Sequence, residues 1–337
     1  MYEKNTRVST LRIETTALLN DINMTERNDD SMTNTEQLAA FAEELGCEVK
    51  RGEPLSAHST FRIGGACDVM ITPGSAEQLS LLVKYSRENE VRTFVLGKGS
   101  NILFADEGFH GAVFLINKTL GEVEVEEDTI RAGAGAPMIQ VCMAALEEGL
   151  SGLEFAYGIP GTIGGGVYMN AGAYGGEMVD VLTAVTAMDC SGELRTYTKD
   201  ELGLSYRHSR FTDSGEIILT TEMKLEKCER SAIEAKMDDL LFRRKDKQPL
   251  NFPSAGSTFK RPDGEGIYAG KLIQDCGLRG YRIGGAQVSE KHCGFIVNTG
   301  GATSADVKAL IKYVQKIVLE NTGVQLECEV KIIPAEG

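Results

Sequence analysis

The chain has 337 residues, 42% hydrophobic and 25% charged, with 38 glycines and a formal net charge of −14. That length predicts two or three domains with an ample core, and the acidic balance argues against a general nucleic-acid or anionic-membrane binder. No apolar run approaches the roughly 18 residues of a membrane span, the opening MYEKNTRVSTLRIETT has no uninterrupted apolar signal core, and the eight cysteines form no CxxC. The expectation is a soluble cytoplasmic protein with reduced thiols. The four histidines show neither HxxxH nor HExxH spacing, so no metal site is expected.

Residues 1–33 are polar, mixed in charge and without periodicity, and read as a mobile extension. Asn34, with Gln37 three residues on, opens a predicted helix through Leu38, Phe41, Ala42 and Leu45. FRIGG (61–65) predicts a short strand breaking into a glycine turn, and CDVMITP (67–73) a strand ended by proline. SAEQLSLLVKYSREN predicts a helix with Leu79, Leu82, Val83 and Tyr85 on one side. TFVLGKGSNILF is a strand interrupted by Gly97-Lys98-Gly99-Ser100-Asn101. Strand, glycine turn and polar donors suit a pyrophosphate, but an ordinary hairpin could use the same residues. Neither GxGxxG nor GxxxxGK[ST] occurs, so a nucleotide would be bound by other means.

Short alternating strands are predicted over 111–135, then a helix from Pro137 to about Gly149. The most distinctive stretch follows, GIPGTIGGGVYMNAGAYGG (158–176), in which eight of nineteen residues are glycine. A spacer would lack the anchors Ile159, Ile163, Val167, Tyr168, Met169 and Tyr174. Pinned glycines permit close approaches, and exposed N–H groups suit a phosphate or a flat polar ring; a tightly packed turn cluster without a ligand is the other reading. VLTAVTAMD and GELRTYT form a predicted hairpin, EIILTTEMKLEK a further strand, and SAIEAKMDDLLFRRKDKQP a helix ending at Pro249. A domain boundary is placed near Glu229.

Between Arg243 and Lys291 there are ten Lys/Arg against five acids, a local +5 inside an acidic chain. Arg243, Arg244, Lys245 and Lys247 read as a solvated basic helix end. Lys260, Arg261, Lys271, Arg279, Arg282 and Lys291 lie in glycine-dense loops and suggest a pocket for a polyanionic small ligand.

Taken together and in order, GKGSN (97–101), GIPGTIGGGVYMNAG (158–172), SYRHSRF (205–211), GSTFKRP (256–262), AGKLIQDCGLRGYRIGGAQVSEKHCGFIVN (269–298) and LECEVKI near the end resemble one family, UDP-N-acetylenolpyruvoylglucosamine reductase (MurB). The resemblance covers about residues 40–334. The short passage from MKLEK through one helix to GSTFKRP is similar to the shorter subclass that lacks an inserted tyrosine-bearing loop. Where the family often has asparagine, this chain has Arg261.

The resemblance implies an α+β protein: an FAD-binding fold resembling vanillyl-alcohol oxidase, with two α+β subdomains (34–228), and a C-terminal α+β substrate domain (229–337). It implies non-covalent FAD, NADPH as co-substrate and a UDP-sugar substrate; a monomer is expected, although the sequence itself is silent on oligomeric state. Gly97, Gly99, Ser100 and Asn101, with Gly158, Gly161, Ile163, Gly164 and Gly165, would supply backbone donors to the flavin pyrophosphate and ring. Asn170, Ala171 and Gly172 would sit near the flavin, and Arg62 and Gly64 near its other end; His58 is read as structural. Arg207 would hold the substrate carboxylate, Ser257 would donate a proton, and Glu329 would either stabilise the protonated enol or orient Arg207. Glu327 is expected on the opposite face. Lys260, Lys271, Arg261, Lys291 and His292 are assigned to the substrate's diphosphate or carboxylate, and Tyr206 to packing on substrate or in the core. Two other classes compete: an O₂-using flavin oxidase on the same fold, and a non-catalytic UDP-sugar or flavin-binding regulator. The first leaves GSTFKRP and LECEV without a purpose, and intact Arg207, Ser257 and Glu329 speak against the second.

Overall fold

In a computed structural model that describes residues 32–264 and 266–336, the alternating segments resolve into mixed sheets flanked by helices, an α+β fold. The expected mobile extension lies outside the described residues except for its last two. A four-stranded sheet runs in the order Glu48–Pro54, Ala66–Thr72, Phe109–Leu115, Thr93–Leu96. Its first pair is antiparallel and the others parallel. The Asn34–Glu44 and Ala76–Glu88 helices lie together, with Leu38, Phe41, Leu79 and Leu82 buried. A five-stranded antiparallel sheet follows, ordered Leu194–Thr198, Leu182–Met188, Ile217–Lys224, Thr129–Gly133, Val123–Glu126. The predicted hairpin forms its edge.

One local expectation fails, and one alternative reading is removed. FRIGG is no strand: Arg62 takes φ +56°, a conformation that ends extended pairing. GKGSN is no hairpin tip either. Thr93–Leu96 pairs in parallel with Phe109–Leu115, whereas Ile102–Phe104 leaves to pair in parallel with Lys331–Ile333 near the other end of the chain. The turn is therefore where one strand run passes between two sheets.

Past the Arg230–Lys247 helix, a three-stranded antiparallel sheet (Arg282–Ile283, Ala286–Val288, Ile296–Asn298) is covered by the Ser304–Thr322 helix. That helix is marked at both ends by the chain itself. Thr303 and Asp306 form a capping box, and Gly323 takes the left-handed φ of +74° beyond the last turn. Val307, Leu310, Ile311, Val314 and Val318 make its buried stripe, one hydrophobic cluster with Phe61, Ile63 and Leu103 from the earlier sequence. All eight cysteines are free. Burial pushes Cys67 up to about 11 and Cys142 to about 12, which keeps them as inert thiols. Among the described residues, no helix is long and apolar enough to cross a membrane.

Asp106 links the early and late halves of the sequence. Its carboxylate accepts from the backbone N–H of Ser304 at 2.7 Å and of Ala305 at 2.9 Å, so a distant side chain satisfies two orphan donors of the helix start. Asp106→Ala should lower unfolding stability by about 1 kcal/mol, read as a fall in the urea midpoint at unchanged m-value, and Asp106→Asn should recover part of the loss.

Candidate active site

Three segments converge on the Gly97–Asn101 turn. A Cβ at Gly97 would stand 2.7 Å from Thr162 Oγ1, and one at Gly99, held at φ +62°, would meet His58 O at 2.2 Å. These glycines are required for close approach, since no larger residue fits. Thr60 N–H donates to Gly99 O at 3.2 Å, and Ser100 Oγ faces Gly161 at 3.8 Å from its absent Cβ. Among the described residues, none of the backbone N–H groups of 97–101 donates to a protein acceptor. A run of free donors beside Gly161 and Thr162 fits a dinucleotide's pyrophosphate. Arg62 is exposed on the neighbouring turn. Gly64, at φ +135°, stands against Phe104. His58 pairs with Glu53 at 2.7 Å.

The glycine-rich stretch divides by what its N–H groups do. Ile163 and Gly164 donate to Ala136 O and Ala134 O at 2.9 Å, and Gly165 donates to Thr162 Oγ1 at 3.4 Å. Ala171 donates to Gly166 O. The N–H groups of these four are spent on protein acceptors, and Ile163 and Gly164 are buried. The N–H groups of Gly158 and Gly161 make no such bond among the described residues. Asn170 is 1% exposed with its amide spent internally: Nδ2 donates to Glu177 Oε2 at 2.9 Å and Ser205 O at 3.1 Å, and Oδ1 accepts from Val179 N–H. It braces the loops around the site and has no free atom for a cofactor.

Arg207 sits at the tip of a tight turn closed by reciprocal bonds between Ser205 and His208. Like Arg62 and Asn170 it is a non-glycine residue at positive φ, here +57°, a conformation that costs energy and persists where surrounding contacts demand it. Its Nε donates to Glu329 Oε1 at 2.9 Å, its Nη2 donates to Gly172 O at 3.2 Å, and the guanidinium lies 4.9 Å above the Tyr206 ring. Glu329 is fixed by its own backbone. Its N–H donates to Thr258 O at 2.8 Å and its carbonyl accepts from Asn101 Nδ2 at 3.1 Å. Thr258 follows Ser257, so the serine segment reaches the glutamate through a main-chain bond and the glycine turn reaches it through the Asn101 side chain.

Arg207, Ser257 and Glu329 line one cavity of about 410 Å³. Ser257 is half-buried, and its hydroxyl makes no bond to another described residue, so the self-bonded turn-serine geometry is absent. Burial raises the Glu329 carboxyl above the usual carboxylate value, against the opposing pull of Arg207 and then Lys260. Glu327 is exposed and pairs with Lys260 at 3.1 Å. Strict alternation puts residues two apart on the same face, and Lys260 acts on both carboxylates, pairing with Glu327 and pulling the Glu329 pKa down.

Of the residues assigned to the substrate, Tyr206, Arg261, Lys271, Lys291 and His292 line this cavity. Lys260 instead lines a smaller one, about 200 Å³, that also reaches Arg207 and Glu329. The predicted charges are partly spent: Lys271 bonds Asp275, and Lys291 Nζ donates to Lys245 O at 2.6 Å. Burial lowers the pKa of His292, and its Nδ1 accepts from Gly294 N–H at 3.2 Å. It is a neutral ring with Nε2 as donor, not a cation. Arg279 and Arg282 are engaged by Gln274 and Thr299. Sequence reasoning missed Tyr268 and Gln274, which also line the cavity; Tyr268, 56% exposed beneath the Arg261 guanidinium, carried no motif. It also missed that Arg244 turns inward from a helix end otherwise exposed as expected.

Residues 67–198 match the FAD binding domain family, and the cradle of free N–H groups lies wholly in that span, so the chain is an oxidoreductase with an FAD-binding domain. Residues 248–333 match the C-terminal domain of UDP-N-acetylenolpyruvoylglucosamine reductase. Reductases of that name from Agathobacter rectalis and Clostridium perfringens are each 50% identical over 83% of this chain and 92% and 91% of their own. That of Listeria monocytogenes is 48% identical over 85% of the chain and 95% of its own. The crystal structure of the Thermus caldophilus enzyme superposes with a TM-score of 0.73 at 35% identity, covering 86% of this chain and all of that one. The chain belongs to the UDP-N-acetylenolpyruvoylglucosamine reductase family, as the motifs implied.

The raised Glu329 pKa has a consequence for stability. Because the folded site prefers the protonated carboxyl, the contribution of this group is complete below the unfolded value of 4.5 and is lost as pH rises through the folded pKa. Denaturant titrations should show wild type losing stability relative to Glu329→Gln as pH rises above 4.5, then levelling. A difference that grows in the opposite direction would contradict the dominance of burial.

Proposed function

We propose that the protein uses NADPH to reduce the enolpyruvyl ether of UDP-N-acetylglucosamine to UDP-N-acetylmuramate, a step of peptidoglycan precursor synthesis in the cytoplasm. The observation that carries the reading is the lining of one cavity by Arg207, Ser257 and Glu329. On this reading residues 34–228 hold the flavin and 229–337 the sugar. Bound non-covalently, FAD would accept hydride from NADPH and deliver it to the terminal vinyl carbon of the substrate.

Hydride addition at that carbon leaves carbanion or enolate character beside the substrate carboxylate. Arg207 answers the charge: a guanidinium stays protonated and grips a carboxylate with two parallel bonds. Glu329, holding Nε, leaves the guanidinium's outer edge for the substrate. A carboxyl raised by burial can also donate to an enolate oxygen, so one residue serves as orienter and as stabiliser. Ser257 protonates the substrate carbon. A hydroxyl is a poor acid, but a carbanion-like centre is basic enough to take its proton, and positioned proton transfer is worth about 10²- to 10⁴-fold. His292, neutral with an Nε2 donor, and Lys271 suit the phosphate oxygens.

The test separates the half-reactions under anaerobic conditions. NADPH should bleach the flavin, and enolpyruvyl-UDP-GlcNAc alone should restore its colour. Ser257→Ala should keep the first rate and slow the second by about 10²- to 10⁴-fold. Equal slowing of both would remove the proton-donor role, and failure of the sugar to restore colour would remove the substrate assignment.

A further inference from the structure

The guanidinium of Arg244 is the cation that the site described above leaves unexplained. It lies in the last turn of the Arg230–Lys247 helix, where its neighbours Arg243, Lys245 and Lys247 are exposed and Arg243 pairs with Asp239. Its side chain runs across Gly158: a Cβ there would stand 2.9 Å from Arg244 Cδ and 3.7 Å from Nε. No carboxylate or carbonyl partner holds its guanidinium among the described residues. Burial depresses its pKa, against a smaller opposing pull from Tyr174. A desolvated, unpaired guanidinium is costly in a free protein. A second observation lies four residues on: the side-chain Oε1 of Gln248 is buried without a hydrogen-bond partner, beside a backbone N–H that donates to Arg244 O at 2.9 Å. Two polar side chains without protein partners thus stand at one helix end, and one of them, Arg244, crosses a glycine whose own N–H makes no bond among the described residues.

We propose that Arg244, supported by Gln248, anchors a phosphoryl group of a bound nucleotide at Gly158. The guanidinium fork supplies paired donors to phosphate oxygens, and the Gln248 amide, which can present either its oxygen or its NH₂, completes the contact to phosphate or sugar hydroxyl. Gly158 is glycine because the arginine must cross it to reach that position. The phosphate belongs either to the flavin's pyrophosphate or to an incoming nucleotide, and the inference rests on the flavin-site reading only for the first.

The test measures binding rather than turnover. Apoprotein is titrated with FAD and with riboflavin, following flavin fluorescence, and holoprotein with NADP⁺ and with UDP by calorimetry. Arg244→Ala should weaken one phosphate-bearing ligand by about 10- to 100-fold while riboflavin affinity is unchanged. Loss for FAD assigns the pyrophosphate, and loss for NADP⁺ or UDP assigns the incoming nucleotide. Arg244→Lys, which keeps the charge without the fork, should fall between and covers the case in which the alanine variant does not fold. The melting temperature of apo Arg244→Ala should equal or exceed wild type, since an unpaired buried charge has been removed. Unchanged affinity for all three phosphate ligands, or equal loss for riboflavin and FAD, overturns the proposal. Wild-type apoprotein that binds no FAD would overturn the flavin-site reading instead.

Discussion

The contact between Arg207 and Glu329, 2.9 Å across 122 residues of sequence, is the constraint around which the rest is arranged. Pairing with a guanidinium ordinarily lowers a carboxyl's pKa, yet burial wins here and moves Glu329 upward. Such a pair is expensive to break from one side, because the abandoned partner stays buried with its charge. The left-handed backbone of Arg207 shows what the fold spends to keep it: the Ser205–His208 turn, braced by Asn170, outweighs the local cost.

Around that pair the main chain does the positioning. Glu329 is fixed through its N–H to Thr258 and its carbonyl to Asn101. The glycine turn and the serine segment thus meet on one residue. The site's precision comes from strands and turns, while its charge comes from side chains that end there.

Much of this was readable from the residues. Arg207, Ser257 and Glu329 stood in segments whose order identified the family, and the strands flanking Cys190-Ser191-Gly192 announced their hairpin by alternation and turn chemistry. What could not be read was non-local. Nothing near Ile102 says that its partner is Lys331, and no spacing separates a glycine that offers its N–H, such as Gly161, from one that spends it, such as Gly164. The basic run at 243–247 reads as solvated because charge runs usually are; only the bare surface of Gly158, distant in sequence, turns one member inward. FRIGG failed for the opposite reason, since a single residue at positive φ overrode its strand-like composition.

The parallel pairing of Ile102–Phe104 with Lys331–Ile333 also bears on how the protein is made. The strand leaving the glycine turn waits for a partner translated more than two hundred residues later. Closing so long a loop costs entropy before it returns any contact, and parallel pairs of this separation form slowly. A nascent chain therefore carries an unfinished strand edge during synthesis, the kind of surface on which chaperones act. Completion of the surroundings of this turn becomes a late event, coupled to the end of the polypeptide and not to the folding of its first domain.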